Sequence, residues 1–377
     1  MRVSGIYVHI PFCAKKCGYC DFNAYSGYKD GTKARYVDAL CREIENFADP
    51  ATRVPTIFFG GGTPTMLSAS ALNRILATIQ ASFTVDQDAE ISIEANPDDA
   101  SPEYLTALRE GGFNRLSFGV QTFNDRLLKM IDRIHDGDAA RRAVTAARIA
   151  GFDNISIDLM FALPRQTLAD WETTLDSAFA LDVPHLSIYS LIVEEGTPFY
   201  ARRERGRMTF PSEKAEAAMF GAAIQRAVNA GYQHYEVSNY AKPDYESRHN
   251  QIYWRNEEYY GFGAGAVGYR DSVRATNIRR PTRYIETALS GGNLTEESEK
   301  VSLADTMGET IMLGLRLRAG IDLQAFADRF GIRMEERYAS EIERYVRAEL
   351  LECTADHIRL TQRGLFLANE VMAAFLP

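Results

Sequence analysis

Up to about residue 250, short apolar extended runs alternate with longer stretches whose apolar positions recur at helical spacing. Gly5 to Ile10, Thr56 to Phe59, Ala89 to Glu94, Arg115 to Phe118, Asn154 to Leu159 and His185 to Ser190 read as strands. Ala34 to Glu45, Ser68 to Gln80, Pro102 to Arg109, Ala139 to Ala150 and Leu168 to Leu181 read as amphipathic helices between them. Repeated strand–helix units imply a mainly parallel sheet with right-handed crossovers. Gly111-Gly112 and Gly151 each follow a helix and precede a strand, the place of a left-handed cap. A closed eight-fold barrel needs about eight such units. Only six are legible, which predicts an incomplete barrel open on one side, with an open Rossmann-like sheet as the competing arrangement.

Beyond Ser190 the pattern loosens. Glu213 to Ala230 is helical by period, whereas Asn239 to Arg280, rich in Tyr, Asn, Arg and Gly, predicts no regular core element. Residues 291–300 are polar, open with Gly291-Gly292 and read as a linker. From Leu303 the chain is mostly helical, and Ile358 to Gly364 reads as a strand and turn before a last helix. The expected fold is therefore α/β: a partial (β/α)6 barrel with extra strands over 1–240, an extension over 241–295, and a small, mainly helical, winged-helix-like domain over 296–377.

Composition narrows the function. The chain has 377 residues, 46% hydrophobic and 25% charged, with a formal net charge of -9, which suits a globular protein and disfavours a general nucleic-acid binder. No apolar run reaches 18 residues, and the N-terminus opens on a strand, so the expected location is the cytoplasm, with peripheral contact at the inner face of a membrane as an alternative. The cysteines are five: Cys13, Cys17, Cys20, Cys41 and Cys353. An odd number with three close together is no disulfide scaffold. Cys41 falls on a helical apolar stripe and is expected in the core, and Cys353 is expected to be structural.

The trio carries the chemistry. It follows the first strand in Tyr7-Val8-His9-Ile10-Pro11-Phe12-Cys13 and ends in Cys17-Gly18-Tyr19-Cys20-Asp21-Phe22. Ligand sites of α/β folds gather at such strand ends. Three thiolates can hold three irons of a four-iron cluster and leave the fourth open, with Lys15 and Lys16 offsetting negative charge. A structural zinc site usually takes four protein ligands, and here only His9 is near enough to complete one. Gly60-Gly61-Gly62-Thr63 follows the second strand; glycine lets backbone approach a ligand, and the Lys-Ser/Thr ending of a P-loop is missing.

The CxxxCxxC spacing after a first strand resembles the radical S-adenosylmethionine superfamily. The longer string Tyr-Val-His-Ile-Pro-Phe-Cys, with Cys-Gly-Tyr-Cys-Asp-Phe-Asn, resembles the oxygen-independent coproporphyrinogen oxidase family, most of all its haem chaperone branch, over nearly the whole chain. The resemblance implies a [4Fe–4S] cluster on Cys13, Cys17 and Cys20, with S-adenosylmethionine on its open iron. Reductive cleavage of that cofactor would give a 5′-deoxyadenosyl radical. The glycine run and Thr63 would receive the methionine amino group. Asp158 and Gln121 would hold the ribose hydroxyls, Arg133 and Glu94 would orient the methionine end, and Tyr7 would lie near cluster and cofactor.

Two departures from the oxidases put decarboxylation in doubt: Phe22 stands where they carry a fourth cysteine, and the stretch before Tyr7 is short. His249-Asn250-Gln251-Ile252-Tyr253-Trp254 resembles the HNxxYW motif of the chaperone branch, with His249 implied as a haem contact. The alternative is that His249 is a satisfied histidine and Tyr253 and Trp254 close the core. The implied function is delivery of haem to a client haemoprotein, such as a membrane respiratory enzyme, with a reductant for the cluster. Coproporphyrinogen III oxidation and radical chemistry on another tetrapyrrole are the alternatives.

Overall fold

A computed structural model describes residues 2–377, with side chains from Val3. The six expected parallel strands are β2 (Gly5–Ile10), β3 (Asp49–Gly61), β4 (Phe83–Ala95), β5 (Arg115–Gln121), β6 (Asn154–Phe161) and β7 (His185–Ser190), with a short β1 (Arg2–Val3) paired beside β3. Between them run α1 (Asp30–Asn46), α2 (Ala69–Ser82), α3 (Pro102–Glu110), α4 (Asp125–Met130), α5 (Gly137–Ile149) and α6 (Leu168–Ala180). Several begin on a side-chain cap: Ser68 accepts from Ala71 N, Ser101 from Tyr104 N, and Thr167 forms a capping box with Asp170.

Neighbours in the parallel run follow chain order without reversal, from β2 to β7. A Rossmann sheet reverses its order at a switch point, so the progressive winding is that of a barrel wall. The wall stays open: β2 pairs outward with β10 (Tyr259–Phe262), and β7 pairs with β9 (Asn239–Ala241).

The strands are not simply apolar. Ile6, Val8, Ile57, Phe59, Ile91, Ile93, Leu116, Phe118, Ile155, Ile157, Leu186 and Ile188 join the helices in one hydrophobic core. The alternate positions, Tyr7, Phe58, Glu94, Arg115, Ser117, Asp158, Ser187 and Tyr189, line a cavity on the other face. The period of two thus sorts one face for helices and one for a polar lumen.

Beyond β7 come α7 (Pro198–Glu204), α8 (Glu213–Asn229) and β8 (Gln233–Glu236), which pairs with β9. The segment after them corrects two expectations. Residues 239–280 do form core elements: α9 (Arg248–Trp254), then β10, β11 (Val267–Arg270) and β12 (Val273–Asn277), which continue the main sheet. These strands are short and held by backbone pairing, so no long apolar alternation marks them. After α10 (Pro281–Ser290), residues 295–300 are no linker but β13 (Thr295–Lys300), a fully exposed edge strand. Its charges stand on the solvent side, where Arg279 pairs with Glu297 and Arg274 with Glu299, and such charge protects an edge from further pairing.

The C-terminal part runs α11 (Leu303–Gly314), β14 (Ile321–Asp322), α12 (Leu323–Phe330), α13 (Met334–Arg337), α14 (Ala339–Arg347), β15 (Leu351–Cys353), β16 (His357–Leu360) and α15 (Ala368–Ala373). Helices around a three-stranded antiparallel sheet β14-β16-β15 give the expected winged-helix-like order. It docks on the barrel through backbone as well as side chains: Val237 N donates to Arg316 O and Arg318 N to Tyr235 O. Cys41 lies in the core as expected, but Cys353 is exposed, because it ends an outer strand of the small sheet. Among the described residues no helix is long and apolar enough to cross a membrane.

Candidate functional site

The cysteine loop leaves β2 at its C-terminal end and is pinned at its base. Cys13 N donates to Tyr25 O at 2.9 Å and Tyr25 N to Pro11 O at 2.8 Å. Gly18 rests on the Phe199 ring of α7, whose backbone N–H bonds Gly18 O. All three thiols are free, half-buried and line one cavity. Burial raises the Cys13 thiol, against a hydrogen bond from Thr63 Oγ1 at 3.6 Å, and pushes Cys20 up to about 11. Of the two lysines expected to offset thiolate charge, Lys16 acts on both Cys13 and Cys20, while Lys15 pairs with Asp132 at 3.2 Å. A further cation stands at the loop: Arg133 Nη1 lies 3.9 Å from Cys17 Sγ.

His9 is not turned toward the thiols. Its Nε2–H donates to Asn23 O at 2.9 Å, so Nδ1 accepts from Tyr7 OH at 2.9 Å. A carbonyl can only accept, which fixes the tautomer. The imidazole lies under Gly61, where an added Cβ would come within 2.6 Å of the ring and where φ is +114°. Gly62 in turn passes the thiols closely; a Cβ there would stand 3.1 Å from Cys13 Sγ. Glycine at both positions follows from this close approach.

The remaining expected cofactor residues converge on the same cavity, which holds about 730 Å³. Glu94 accepts from Gly61 N at 3.2 Å and, among the described residues, has no other hydrogen bond or ion pair; burial, then the neighbouring Asp158, push its carboxyl up to about 8. Asp158 accepts from Ser117 Oγ at 3.0 Å and from Ser187, which oppose the rise that burial causes. Gln121 accepts from Tyr189 OH at 3.3 Å. Arg133 donates to Asn96 Oδ1 at 2.6 Å and Gly119 O at 2.5 Å, and Asn96 donates to Thr63 Oγ1 at 3.1 Å, a chain that ties the glycine run to the arginine. Tyr7 stacks on Phe58.

The lumen runs from the thiols down to α9. Asn250, Tyr253 and Trp254 line the cavity that Cys13, Cys17 and Cys20 line. His249 does not. It is fully buried, stacked on Phe58 at 5.2 Å between centroids, with Nδ1 2.9 Å from Thr56 Oγ1 and Nε2 2.9 Å from Tyr253 OH. Burial, then the charge of Arg115, lowers its pKa to about 3. The imidazole is neutral at physiological pH, and both its nitrogens are occupied. Glu90 fixes the start of the helix, accepting from Arg248 N and His249 N at 3.0 Å each.

Reasoning from the sequence missed Asn96, Ser117, Ser187, Tyr189 and Arg115. Their signal was present: polar residues at every second position of otherwise apolar strands. Whether the residues fit a cluster and a cationic sulfonium cofactor can be judged from the donor set. Free thiols, a backbone stripped of side chains and the buried carboxylates of Glu94 and Asp158, neither of them in an ion pair among the described residues, suit both. Among the described residues no three His, Cys, Asp or Glu side chains converge as one metal ion needs, whereas a four-iron cluster takes its thiolates on separate irons.

Residues 7–178 match the radical SAM superfamily and residues 301–367 the HemN C-terminal domain. The heme chaperone HemW of Bacillus subtilis is 40% identical over 98% of both chains. That of Escherichia coli is 34% identical over 98% of this chain and 97% of its own. Among solved structures, the radical SAM enzyme coproporphyrinogen III oxidase (HemN) from Escherichia coli superimposes with a TM-score of 0.86 at 25% identity, covering 99% of this chain and 90% of that one.

Proposed function

The chain belongs to the HemW family of radical SAM proteins, and from that premise we propose that it is a haem chaperone, loading haem and passing it to a client haemoprotein, with a membrane respiratory enzyme the expected kind of client. The observation that carries this reading is the single lumen that joins the thiol loop to the face of α9 bearing Asn250, Tyr253 and Trp254.

Cys13, Cys17 and Cys20 would hold the cluster. Thr63 and the glycine run would face the amino end of S-adenosylmethionine, Arg133 its carboxylate, and Asp158 and Gln121 its ribose. When bound, the reduced cluster would supply one electron for reductive cleavage of a carbon–sulfur bond of the sulfonium cofactor. The chain's own part is electrostatic and steric. Asp158 holds its acceptor oxygens toward the cavity on two serine hydroxyls. Glu94 keeps a proton until a cation replaces it. Tyr7, Phe58 and Tyr253 wall the middle of the lumen with aromatic rings, the two tyrosines adding hydroxyls, a surface suited to a flat macrocycle with polar rims. His249 can ligate iron only after giving up its bond to Thr56 or to Tyr253.

The whole-chain likeness to coproporphyrinogen III oxidase favours a second reading, oxidative decarboxylation of coproporphyrinogen. One experiment separates them. Cluster-loaded protein, S-adenosylmethionine, coproporphyrinogen III and a strong reductant are incubated without oxygen, and harderoporphyrinogen and protoporphyrinogen are quantified. Multiple turnovers overturn the chaperone reading. Absence of product, together with one haem bound per chain and its transfer to an apo-haemoprotein, supports it.

A further inference from the structure

One cation in the lumen has no partner. Arg115 opens β5, is 2% exposed and lines the cavity. Among the described residues no hydrogen bond or ion pair reaches its guanidinium, and its Nε is buried without an acceptor. The other cavity arginines are engaged. Arg133 bonds Asn96 and Gly119, and Arg316 pairs with Glu236 at 3.1 Å while lying over the Trp254 ring. A buried guanidinium left unpaired costs several kcal/mol, and the cost is met when an anion arrives.

The surroundings share the pattern. Trp254 Nε1, Arg316 Nε and Arg133 Nε, on the same cavity, are also buried donors without acceptors, although the two arginines bond through their other nitrogens. Four unspent donors on one lumen, with Arg115 the one cation among them that has no other bond among the described residues, call for an acceptor from outside the chain. A guanidinium fork matches a carboxylate, and an indole N–H adds a further donor. Glu94 and Asp158 feel the charge of Arg115 but do not pair with it, since Asp158 is held by Ser117 and Ser187 and Glu94 by Gly61.

We infer that Arg115 is the seat of a carboxylate-binding subsite in the lumen, and that the carboxylate it takes is a propionate arm of the tetrapyrrole. The inference rests on the reading that the lumen accepts a tetrapyrrole. It does not depend on haem rather than porphyrinogen, because both carry propionates. Arg115 is a specificity residue: it selects the free acid over its ester and orients the macrocycle with a carboxylate downward.

The test uses the full-length, cluster-loaded protein without oxygen. Haem, coproporphyrin III and the methyl esters of both are titrated into wild type, Arg115→Met and Arg115→Lys, followed by absorbance and by quenching of tryptophan fluorescence. Wild type is expected to bind each acid at least about 10-fold tighter than its ester, the usual size of a charge-assisted hydrogen bond. Arg115→Met should weaken the acids by about 10- to 100-fold and leave the esters unchanged, and Arg115→Lys should fall between. Ligand-free Arg115→Met should melt no lower than wild type, because an unpaired charge has been removed.

Equal binding of acid and ester, or an Arg115→Met protein that binds acids like wild type, overturns the inference. So does wild type that binds none of the four, or an Arg115→Met protein that melts far lower, which would make Arg115 a structural counter-ion. A parallel titration with S-adenosylmethionine identifies the other possible source of a carboxylate. Unchanged affinity in Arg115→Met is expected, and a loss matching that of the acids assigns the carboxylate to the cofactor and overturns the proposal. If coproporphyrin binds in an Arg115-dependent way and haem does not, the haem reading falls and the subsite stands.

Discussion

Replacing His249 by alanine is the obvious way to test haem ligation, and the structure predicts that it will mislead. His249 is fully buried, bonds Thr56 Oγ1 and Tyr253 OH at 2.9 Å each, and packs between the rings of Phe58 and Tyr253. Truncation strands two buried hydroxyls at about 1 kcal/mol or more each and leaves a cavity worth a further ~2–3 kcal/mol, about 4–5 kcal/mol together. Unfolding entropy near ~2.1 cal/mol/K per residue gives roughly 0.8 kcal/mol/K for this chain, so Tm should fall by ~5–6 °C. Loss of haem binding would then report a loosened floor, whether or not the imidazole ever touched iron. The informative variants are Thr56→Val and Tyr253→Phe, each of which frees one ring nitrogen. If haem takes the imidazole, it must displace one of these hydroxyls, and removing that competitor should tighten haem binding by about fivefold, equivalent to ~1 kcal/mol. The other variant should not change it. Differential scanning fluorimetry and haem titration by absorbance supply both readouts. A Tm drop under about 2 °C for His249→Ala would show that the buried network is not formed. Two hydroxyl variants that both leave haem affinity unchanged would refute ligation by His249.

Three further outcomes are expected. Glu94 holds a proton up to about pH 8 in the ligand-free protein, and the positive charge of the bound sulfonium cofactor would ionise it. Affinity for S-adenosylmethionine should therefore rise about tenfold per unit of pH up to ~8 and level off above, and titration calorimetry in two buffers should detect proton release at pH 7 that Glu94→Gln abolishes. Gly61→Ala puts a Cβ at φ +114° and 2.6 Å from the His9 ring; it should cost ~2–4 kcal/mol in urea unfolding and weaken cofactor binding with it. Arg316→Ala leaves the buried Glu236 carboxylate without its cation, at about 3–5 kcal/mol, and adding Glu236→Gln should recover part of that loss in a double-mutant cycle.

How far the sequence carried depends on what kind of contact each element makes. The six parallel strands and their helices were legible because each buries an apolar face, and burial writes itself into local periodicity. The cysteine loop, the glycine run, Glu94, Gln121, Arg133 and Asp158 were legible by resemblance, and all but Gly60 of the run line one cavity. The strands over 259–277 and 295–300 were not, because they are only four to six residues long and held by backbone ladders, so that even the buried Tyr260 and Phe262 make no sustained alternation. Backbone hydrogen bonds leave no mark on composition.

The floor of the lumen was the hardest part, for a related reason. Arg115, Asn250, Trp254 and Arg316 come from a barrel strand, a helix some 130 residues later and the C-terminal domain. Asn250 and Trp254 were legible as part of a motif, but nothing local marks Arg115 or Arg316 as their neighbours, and only the sheet order brings the four to one wall. The same topology explains why the conspicuous motif residue and the chemically exposed ones differ. In α9 the buried His249 anchors the helix to Thr56 on β3, while Asn250, Tyr253 and Trp254 are presented to the cavity. The HNxxYW string therefore combines an internal fastening with a lumen-facing surface, and on the proposed haem reading a substitution in it would act on binding by one route or the other according to which of the two it touches.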